Sequence, residues 1–288
     1  MNTVKYLGFV GLAAAGLFAA QAFATTCPTT SPVAAAGAMQ GAPVCIAPWG
    51  TDGSNTGLSS VLGIYDATTN PNGIIKPGGT AVNPYTQQVQ QPYWSVNSSS
   101  NSVANILLQI AGNAGTDTFG IFDPTDPSKV FPIFTNGQNG QSTTLTVWLN
   151  GGYSLNGALP QITFGVTNLF GYYLISGGHT YYSLPSLNEA GGSLYPDGTP
   201  HMVAYQGNGS SLEALNGHPG GFWDSSEYIL AWEDLPFSSS DLDYNDFIVE
   251  VESVHPVPEP AVLGMFGLGV LLLGSFTVLR RRSSKLEA

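Results

Sequence analysis

The sequence predicts an all-β protein, an antiparallel β-sandwich that is jelly-roll-like. Short runs of β-branched and aromatic residues recur along the chain between turn residues, which is typical of sandwiches rather than of βαβ proteins. Apart from the two terminal runs, only residues 58–64 favour a helix, and that helix is short. The chain has 36 Gly in 288 residues and only 9% charged side chains, a composition typical of secreted β-proteins.

The amino terminus predicts a secretory signal peptide. Lys5 precedes an apolar stretch at residues 7–20, and Ala22-Phe23-Ala24 has the small-x-small pattern of a signal peptidase site. Residues 1–24 are therefore the predicted signal. A lipoprotein signal is the alternative, but a threonine directly before Cys27 fits it poorly.

Residues 25–56 are predicted to be an extension that precedes the compact core, because they are rich in Ala, Pro and Gly and show little periodicity. Both cysteines of the chain, Cys27 and Cys45, lie in this stretch. Outside the cytoplasm a disulfide is the default for such a pair, and it would contribute roughly 3 kcal/mol. A redox or metal pair is the alternative, but Cys-x-x-Cys spacing and a nearby histidine are missing.

Residues 57–254 form the predicted sandwich domain. Its strand-like runs are 106–110, 118–122, 130–134, 143–149, 162–167, 172–175, 180–184, 202–205, 228–232 and 247–251. Tyr228–Trp232 is apolar on both faces, so we expect it in the middle of a sheet. In the last run, alternation sends Ile248, Glu250 and Glu252 to one face and apolar side chains to the other, which predicts a half-buried strand.

The 14 residues that connect these last two strands are acidic and contain no Lys or Arg. Their carboxylates are Glu233, Asp234, Asp241, Asp243 and Asp246. If the connection is a hairpin, Glu233 and Asp234 leave one strand where Asp246 enters the other. Two carboxylates ~5 Å apart repel by roughly 3 kcal/mol at an effective dielectric constant near 20. A bound cation would relieve this repulsion.

The spacing Asp241-x-Asp243-x-Asn245 presents alternating oxygen ligands, as in the first half of an EF-hand loop. Oxygen-only sites suit Ca²⁺ rather than Zn²⁺. The loop is not an EF-hand, because Asp246 stands where glycine is required and no helices flank it. The predicted Ca²⁺ ligands are Glu233, Asp234, Asp241, Asp243, Asn245 and Asp246. A solvated acidic turn, capped by its aspartates, is the alternative.

The carboxyl terminus predicts a membrane-spanning helix. The run Ala261–Leu279 is uncharged and apolar. As a helix it spans roughly 28 Å, close to the ~30 Å hydrocarbon core of a bilayer. Arg280–Arg282 and Lys285 follow it, so this end is expected on the cytoplasmic side and the domain outside.

Residues 255–288 resemble the PEP-CTERM sorting signal, because the motif Val257-Pro258-Glu259-Pro260 precedes the apolar run and the basic cluster. The resemblance implies processing by a membrane-embedded exosortase. The chain would be tethered to the inner membrane first and then reach the surface or matrix of a Gram-negative, exopolysaccharide-making bacterium.

A second resemblance rests on Trp232-Glu-Asp-Leu235 followed by Asp241-Leu-Asp-Tyr-Asn-Asp246. These residues resemble the terminal signature of the family called domain of unknown function 4114 (DUF4114). Upstream, Phe119–Asp123, Phe164–Gly165, Leu187–Asn188 and His201–Tyr205 occur in the order expected of that family. The resemblance covers residues 106–254. It implies an extracellular β-domain with an acidic signature suggestive of Ca²⁺ binding, and it implies no established reaction.

The charge distribution restricts the partners. Between residues 25 and 260 only Lys76 and Lys129 are basic, against eighteen acidic residues, so this segment carries about −16. Such a field repels phosphate backbones, which excludes nucleic acid. The resemblance of the tail to the PEP-CTERM signal, rather than the charge, implies a structural or adhesive role in the matrix, with an exosortase and either exopolysaccharide or matrix proteins as the expected partners.

Two other functions stay open. A carbohydrate-binding module would stack sugars on exposed rings, for which the candidates are Tyr172, Tyr173, Tyr181, Tyr182 and Trp223. A glycosidase would need two acids from Glu227, Glu233 and Asp234. The histidines form no zinc motif and no Gly-x-Ser-x-Gly elbow occurs, so we predict a non-enzyme. His201 is expected to be structural and to bond the acidic loop.

Overall fold

The computed structural model describes residues 44–46, 57–71, 73–85, 87–89, 92–97, 102–109, 115–192, 195, 198–209 and 223–257. These residues are mostly strand and contain almost no helix. In chain order the elements are α1 (Leu58–Val61), β1 (Tyr93–Val96), β2 (Ser102–Gln109), β3 (Thr118–Asp123), β4 (Asp126–Thr135), β5 (Ser142–Val147), β6 (Gly152–Leu155), β7 (Ile162–Thr163), β8 (Gly171–Ser176), β9 (His179–Tyr182), the 3-10 turn Pro185–Leu187, β10 (Met202–Gln206), β11 (Tyr228–Trp232), β12 (Phe247–Glu252) and β13 (Val254–Val257).

The strands pair in antiparallel sheets, as predicted. One sheet has the order β10-β11-β12-β2-β5-β6-β7, a second has the order β4-β3-β8-β9, and β1 pairs with β13. Every run predicted as a strand overlaps one of these strands, and the predicted short helix overlaps α1. The sequence patterns do not predict β1, β6 or β13.

The seven-stranded and four-stranded sheets pack face to face on one core. The ring of Phe119 on β3 lies 5.7 Å from that of Phe247 on β12 and 6.1 Å from that of Trp232 on β11. Such packing of two antiparallel sheets is the arrangement expected of a sandwich. The core between the sheets also positions the end of β11, where the acidic connection begins.

The strand β12 is covered on both faces, so the prediction of a half-buried strand is wrong. Its alternation is as predicted, because Phe247, Val249 and Val251 face the core between the sheets. Ile248 instead packs into a second apolar cluster on the opposite face. This second cluster shields the face that the sequence assigned to solvent, and Glu250 is only 1% exposed.

The second cluster covers the outer face of β10–β12 and is built by the chain that precedes β1. It contains Leu58 and Val61 of α1 together with Val44 and Ile46, which belong to the stretch predicted as an extension. Cys45 is fully buried between them and disulfide-bonded. Cys27 lies outside the described residues, so the identity of its partner stays a prediction.

The predicted targeting segments lie outside the described residues. They comprise the signal peptide at residues 1–24, the Pro258–Pro260 part of the sorting motif, and the apolar run at residues 261–279. In the part of the chain that is described, no helix is both long and apolar enough to cross a bilayer.

Candidate metal centre

The acidic connection between β11 and β12 is a hairpin, which is the condition under which the sequence brings its carboxylates together. Trp232 and Phe247 are register partners, so Glu233 leaves β11 at the same end of the sheet where Asp246 leads into β12. The backbone N–H of Asp234 donates a hydrogen bond to Asp246 Oδ2 at 3.0 Å. This bond joins the two ends of the loop and brings their carboxylates together.

Three acidic side chains of this loop converge on one point. Glu233, Asp241 and Asp243 each offer one carboxylate oxygen, and these oxygens lie within 4.8 Å of one another. Glu233 is 1% exposed and Asp243 is fully buried, while Asp241 is half-buried. We call these three residues the acidic cluster.

The Glu233 carboxylate is the unusual member of the acidic cluster. Both of its oxygens are buried, and neither accepts a hydrogen bond of ordinary geometry from the described residues. Burial, followed by the charges of Asp246, Asp241 and Asp243, raises the pKa of Glu233 well above its usual range, and the nearby Ser240 hydroxyl opposes this only in part. A buried carboxyl group without such partners costs folding free energy. A cation between these oxygens would remove that cost.

The other predicted ligands hold the loop in shape. Asp234 Oδ2 accepts a hydrogen bond from the Ser176 hydroxyl of β8 at 2.9 Å. The amide group of Asn245 donates to Asp243 Oδ2 at 2.5 Å. Burial, and then the charge of Asp234, raises the pKa of Asp246 to about 8. These residues surround the acidic cluster, and their hydrogen bonds fix its position.

The backbone of the loop is contorted between the aspartates. Leu242 and Tyr244 have φ values of 62° and 55°, a left-handed conformation that costs a residue with a side chain roughly 1–2 kcal/mol. Tyr244 is fully buried and its hydroxyl donates to the carbonyl oxygen of Pro200 at 2.6 Å. This anchor holds the strained turn that sets Asp241 and Asp243 side by side.

His201, which directly precedes β10, holds the acidic loop, in agreement with its predicted structural role. Its ring stacks on Tyr181 at 4.2 Å, and Nδ1 donates to the carbonyl oxygen of Glu233 at 3.1 Å. Its Nε2 lies 3.1 Å from Glu189 Oε1, which also accepts the N–H of Phe237 at 2.7 Å. Burial lowers the pKa of His201, and Glu189 opposes that shift. Both ring nitrogens of His201 take part in hydrogen bonds, so His201 offers no nitrogen ligand to a metal. The acidic cluster therefore offers oxygen ligands only.

The aromatic residues considered for sugar stacking are mostly inside the protein. Tyr172, Tyr173, Tyr181 and Trp223 are each at most 2% exposed, so the prediction of exposed rings is wrong for these four. Tyr172 and Tyr181 belong to the core between the sheets, and Trp223 belongs to the second cluster. Both faces of β10–β12 are covered, which alternation alone does not reveal. Only Tyr182 is half-buried.

Of the carboxylates considered for glycoside hydrolysis, Glu227 lies too far from the other two. Glu227 precedes β11 and Glu233 follows it. At about 3.3 Å per residue, these ends of the strand are separated by roughly 20 Å, whereas a glycosidase pair needs about 5 to 9.5 Å. Asp234 lies at the same end as Glu233, and its carboxylate is occupied by Ser176.

The raised pKa of Glu227 instead leads us to expect that the stability of the protein depends on pH. Burial, together with the charges of Asp224, Glu250 and Glu252, raises its pKa to about 7, although the Asp224 N–H opposes the shift. Between pH 4.5 and 7 the folded state therefore binds more protons than the unfolded state, and the free energy of unfolding falls as pH rises. In urea unfolding at pH 5, 6, 7 and 8, we expect Glu227→Gln to show a shallower fall than the wild type. An equal fall in both proteins would contradict this prediction.

Comparison with known proteins identifies one region of the chain. The family model described as "Domain of unknown function (DUF4114)" matches residues 164–254. The match includes β11, β12 and the acidic loop, but it begins well after residue 106, where the resemblance in the sequence starts, and Phe119–Asp123 lies outside it. No curated protein and no solved structure matches the chain. The chain therefore carries a DUF4114 domain at residues 164–254.

Proposed function

We propose that this chain is an exported, surface-processed β-sandwich, jelly-roll-like in its connections, whose Glu233–Asp246 loop binds Ca²⁺ as a structural ion. Its role is structural or adhesive, in the extracellular or exopolysaccharide matrix of a Gram-negative bacterium. An exosortase-type enzyme processes the PEP-CTERM tail, and exopolysaccharide or matrix proteins are its partners there.

The observation that carries the metal proposal is the Glu233 carboxylate. An acidic cluster by itself is common on protein surfaces, where water solvates it. Glu233 is 1% exposed, neither of its oxygens accepts a hydrogen bond of ordinary geometry from the described residues, and one oxygen lies within 4.8 Å of carboxylate oxygens of Asp241 and Asp243. Burying such a group is unfavourable unless a cation or a proton neutralises it.

The ligand chemistry favours Ca²⁺ over the other common ions. The acidic cluster offers carboxylate oxygens only, since His201, which bonds the carbonyl oxygen of Glu233, uses both of its ring nitrogens. Hard oxygen ligands suit Ca²⁺ or Mg²⁺, and Ca²⁺ accepts six to eight of them in irregular geometry. Glu233, Asp241 and Asp243 would hold the ion, and water and neighbouring oxygens would complete its shell.

The proposed export of the domain also supports Ca²⁺ as the bound ion. The signal-like amino terminus and the tripartite tail support an extracellular domain. Outside the cell, modules bind Ca²⁺ with dissociation constants of about 10⁻⁴–10⁻³ M. An ion that neutralises a buried carboxylate stiffens the loop, which is what a structural component of a matrix requires.

The metal proposal is tested by titrating chelator-treated full-length protein with Ca²⁺ in a calorimeter. We expect a saturable binding heat, and stabilisation by about 2.7 kcal/mol at a free Ca²⁺ concentration of 100 Kd. Asp243→Asn should abolish the heat. The control Asp126→Asn changes an exposed carboxylate on β4 and should bind as the wild type does. If no heat were measured and the melting temperatures in Ca²⁺ and in chelator were equal, the protein would not bind Ca²⁺ at this loop.

A further inference from the structure

A cleft of about 710 Å³ opens beside the β1–β13 pair, away from the acidic loop. Its polar lining includes Ser95, Asn97 and His255, together with Thr167 and Asn168. Ser95 and His255 are register partners, and Asn97 follows Ser95 by two residues, so all three are placed on the same face of this pair. Of the described residues that line the cleft, only His255 is ionisable.

The three side chains form a directed chain of hydrogen bonds. His255 Nδ1 lies 3.0 Å from Asn97 Oδ1, and an amide oxygen only accepts, so the ring proton belongs on Nδ1. His255 Nε2 then carries a lone pair and accepts the Ser95 hydroxyl proton over 2.7 Å. A hydroxyl nucleophile, a base and a group that orients the base occur in this order in hydrolases of unrelated folds.

The backbone that carries Ser95 is held on both sides. The side-chain amide of Asn168 accepts from Val96 N–H at 2.9 Å and donates to Val96 C=O at 2.7 Å. Trp94 and Phe170 exchange backbone hydrogen bonds at 2.7 and 3.0 Å. Ser95 lies between these two clamped positions, so its hydroxyl is preorganised toward His255. A positioned nucleophile of this kind lowers the entropic part of an activation barrier.

We propose that Ser95, His255 and Asn97 form a nucleophilic site that hydrolyses neutral carboxylic esters. This inference does not depend on the metal site. Ser95 and His255 are the catalytic residues, and Asn97 is a positioning residue that acts through His255. A neutral acyl group fits the cleft because Val166, Leu169 and Val257 contribute apolar surface beside the polar side chains.

The reaction needs water as its only co-reactant. Ser95 Oγ bonds to the acyl carbon while its proton passes to His255 Nε2. The ester C–O bond breaks, and the alcohol leaves with that proton. Water then gives a proton to Nε2 and attacks the acyl-serine, which releases the carboxylic acid and restores the Ser95 hydroxyl.

The test treats purified full-length protein with a fluorophosphonate probe and maps the labelled residue by mass spectrometry. We expect the label on Ser95, and none there in Ser95→Ala. His255→Ala should slow labelling about 100-fold or more, since a general base contributes that much. His255→Gln replaces it if the alanine variant does not fold. Ser128→Ala is the matched control, because the Ser128 hydroxyl bonds Asp126 rather than a histidine, and it should label at the wild-type rate.

The positioning role of Asn97 has its own readout. In Asn97→Asp the new carboxylate stabilises the protonated form of the His255 imidazole, which cannot act as a base. The fall in labelling rate on the acidic side of the pH profile should therefore begin at a higher pH than in the wild type. Hydrolysis of p-nitrophenyl acetate should be lost in Ser95→Ala. Folded protein that is not labelled at Ser95, or is labelled at an unchanged rate in both His255 variants, would overturn the proposal, because the trio would then be only a cross-strand hydrogen-bond network.

Discussion

Replacing Phe119 by alanine is expected to lower the free energy of unfolding by about 3–5 kcal/mol, the range for truncating a buried phenylalanine. The Phe119 ring is fully buried and connects the two sheets. It stacks on Tyr172 of its own sheet at 5.4 Å and reaches Phe247 and Trp232 of the facing sheet at 5.7 and 6.1 Å. Truncation would open a cavity at the centre of the core, which the surrounding rings fill only in part.

Urea unfolding measures this loss, with Leu159→Ala as the control. Leu159 is 80% exposed, so its truncation should change the unfolding free energy by less than about 0.5 kcal/mol. A double-mutant cycle of Phe119→Ala with Trp232→Ala tests the contact between the sheets directly. We expect a coupling energy of about 0.5–1.5 kcal/mol for this aromatic pair. Additive effects would show that the two sheets do not share this core.

Replacing Glu233 by glutamine is expected to change stability in opposite directions with and without Ca²⁺. In chelator the wild type retains a buried carboxyl group beside Asp241 and Asp243. The neutral amide removes the repulsion, so at pH 8 the variant should be more stable, by on the order of 1 kcal/mol. In Ca²⁺ at 100 Kd the wild type gains about 2.7 kcal/mol and the variant gains little, so the order reverses.

Urea unfolding of both proteins at pH 8, in EDTA and in CaCl₂, measures this reversal. Asp126→Asn is the control and should respond to Ca²⁺ as the wild type does. If Glu233→Gln were less stable than the wild type by the same amount in both buffers, Glu233 would have a packing role only. A reversal with Ca²⁺ but not with Mg²⁺ would identify the ion.

The main strands could be predicted because their patterns are local. Tyr228–Trp232 is apolar on both faces and lies in the interior of the seven-stranded sheet between β10 and β12. The alternation of Phe247, Val249 and Val251 also predicts which side chains enter the core between the sheets. Whether the other face of β12 meets water depends on the distant segment around Leu58 and Val61, so this part of the prediction failed.

The strands that the sequence did not predict are short or contain residues unfavourable in strands. Pro256 lies within β13 and argues against a central strand. It is tolerated because β13 pairs with β1 alone among the described strands. β6 begins with Gly152 and covers only Gly152–Leu155, which is too short for alternation to be recognised.

The acidic loop could also be predicted only in part from the sequence. Its carboxylates and their placement in a hairpin follow from residues close together in sequence. The sequence treats all of the predicted ligands alike, whereas the structure separates Glu233, Asp241 and Asp243 from Asp234, whose carboxylate is occupied by Ser176 of β8. The signal for this difference is the burial of Glu233, which is 1% exposed and is held through its carbonyl oxygen by His201, 32 residues earlier in the chain.

The sequence by itself determined the β class and the crowding of negative charge between the last two long strands, because each depends on residues that are close together in the chain. Only the tertiary structure decided which carboxylates converge, which aromatic rings are buried, and that Ser95 meets a histidine 160 residues away. The physical reason is that hydrogen bonds and desolvation act over a few ångströms in space, and folding alone brings distant parts of the chain within that range.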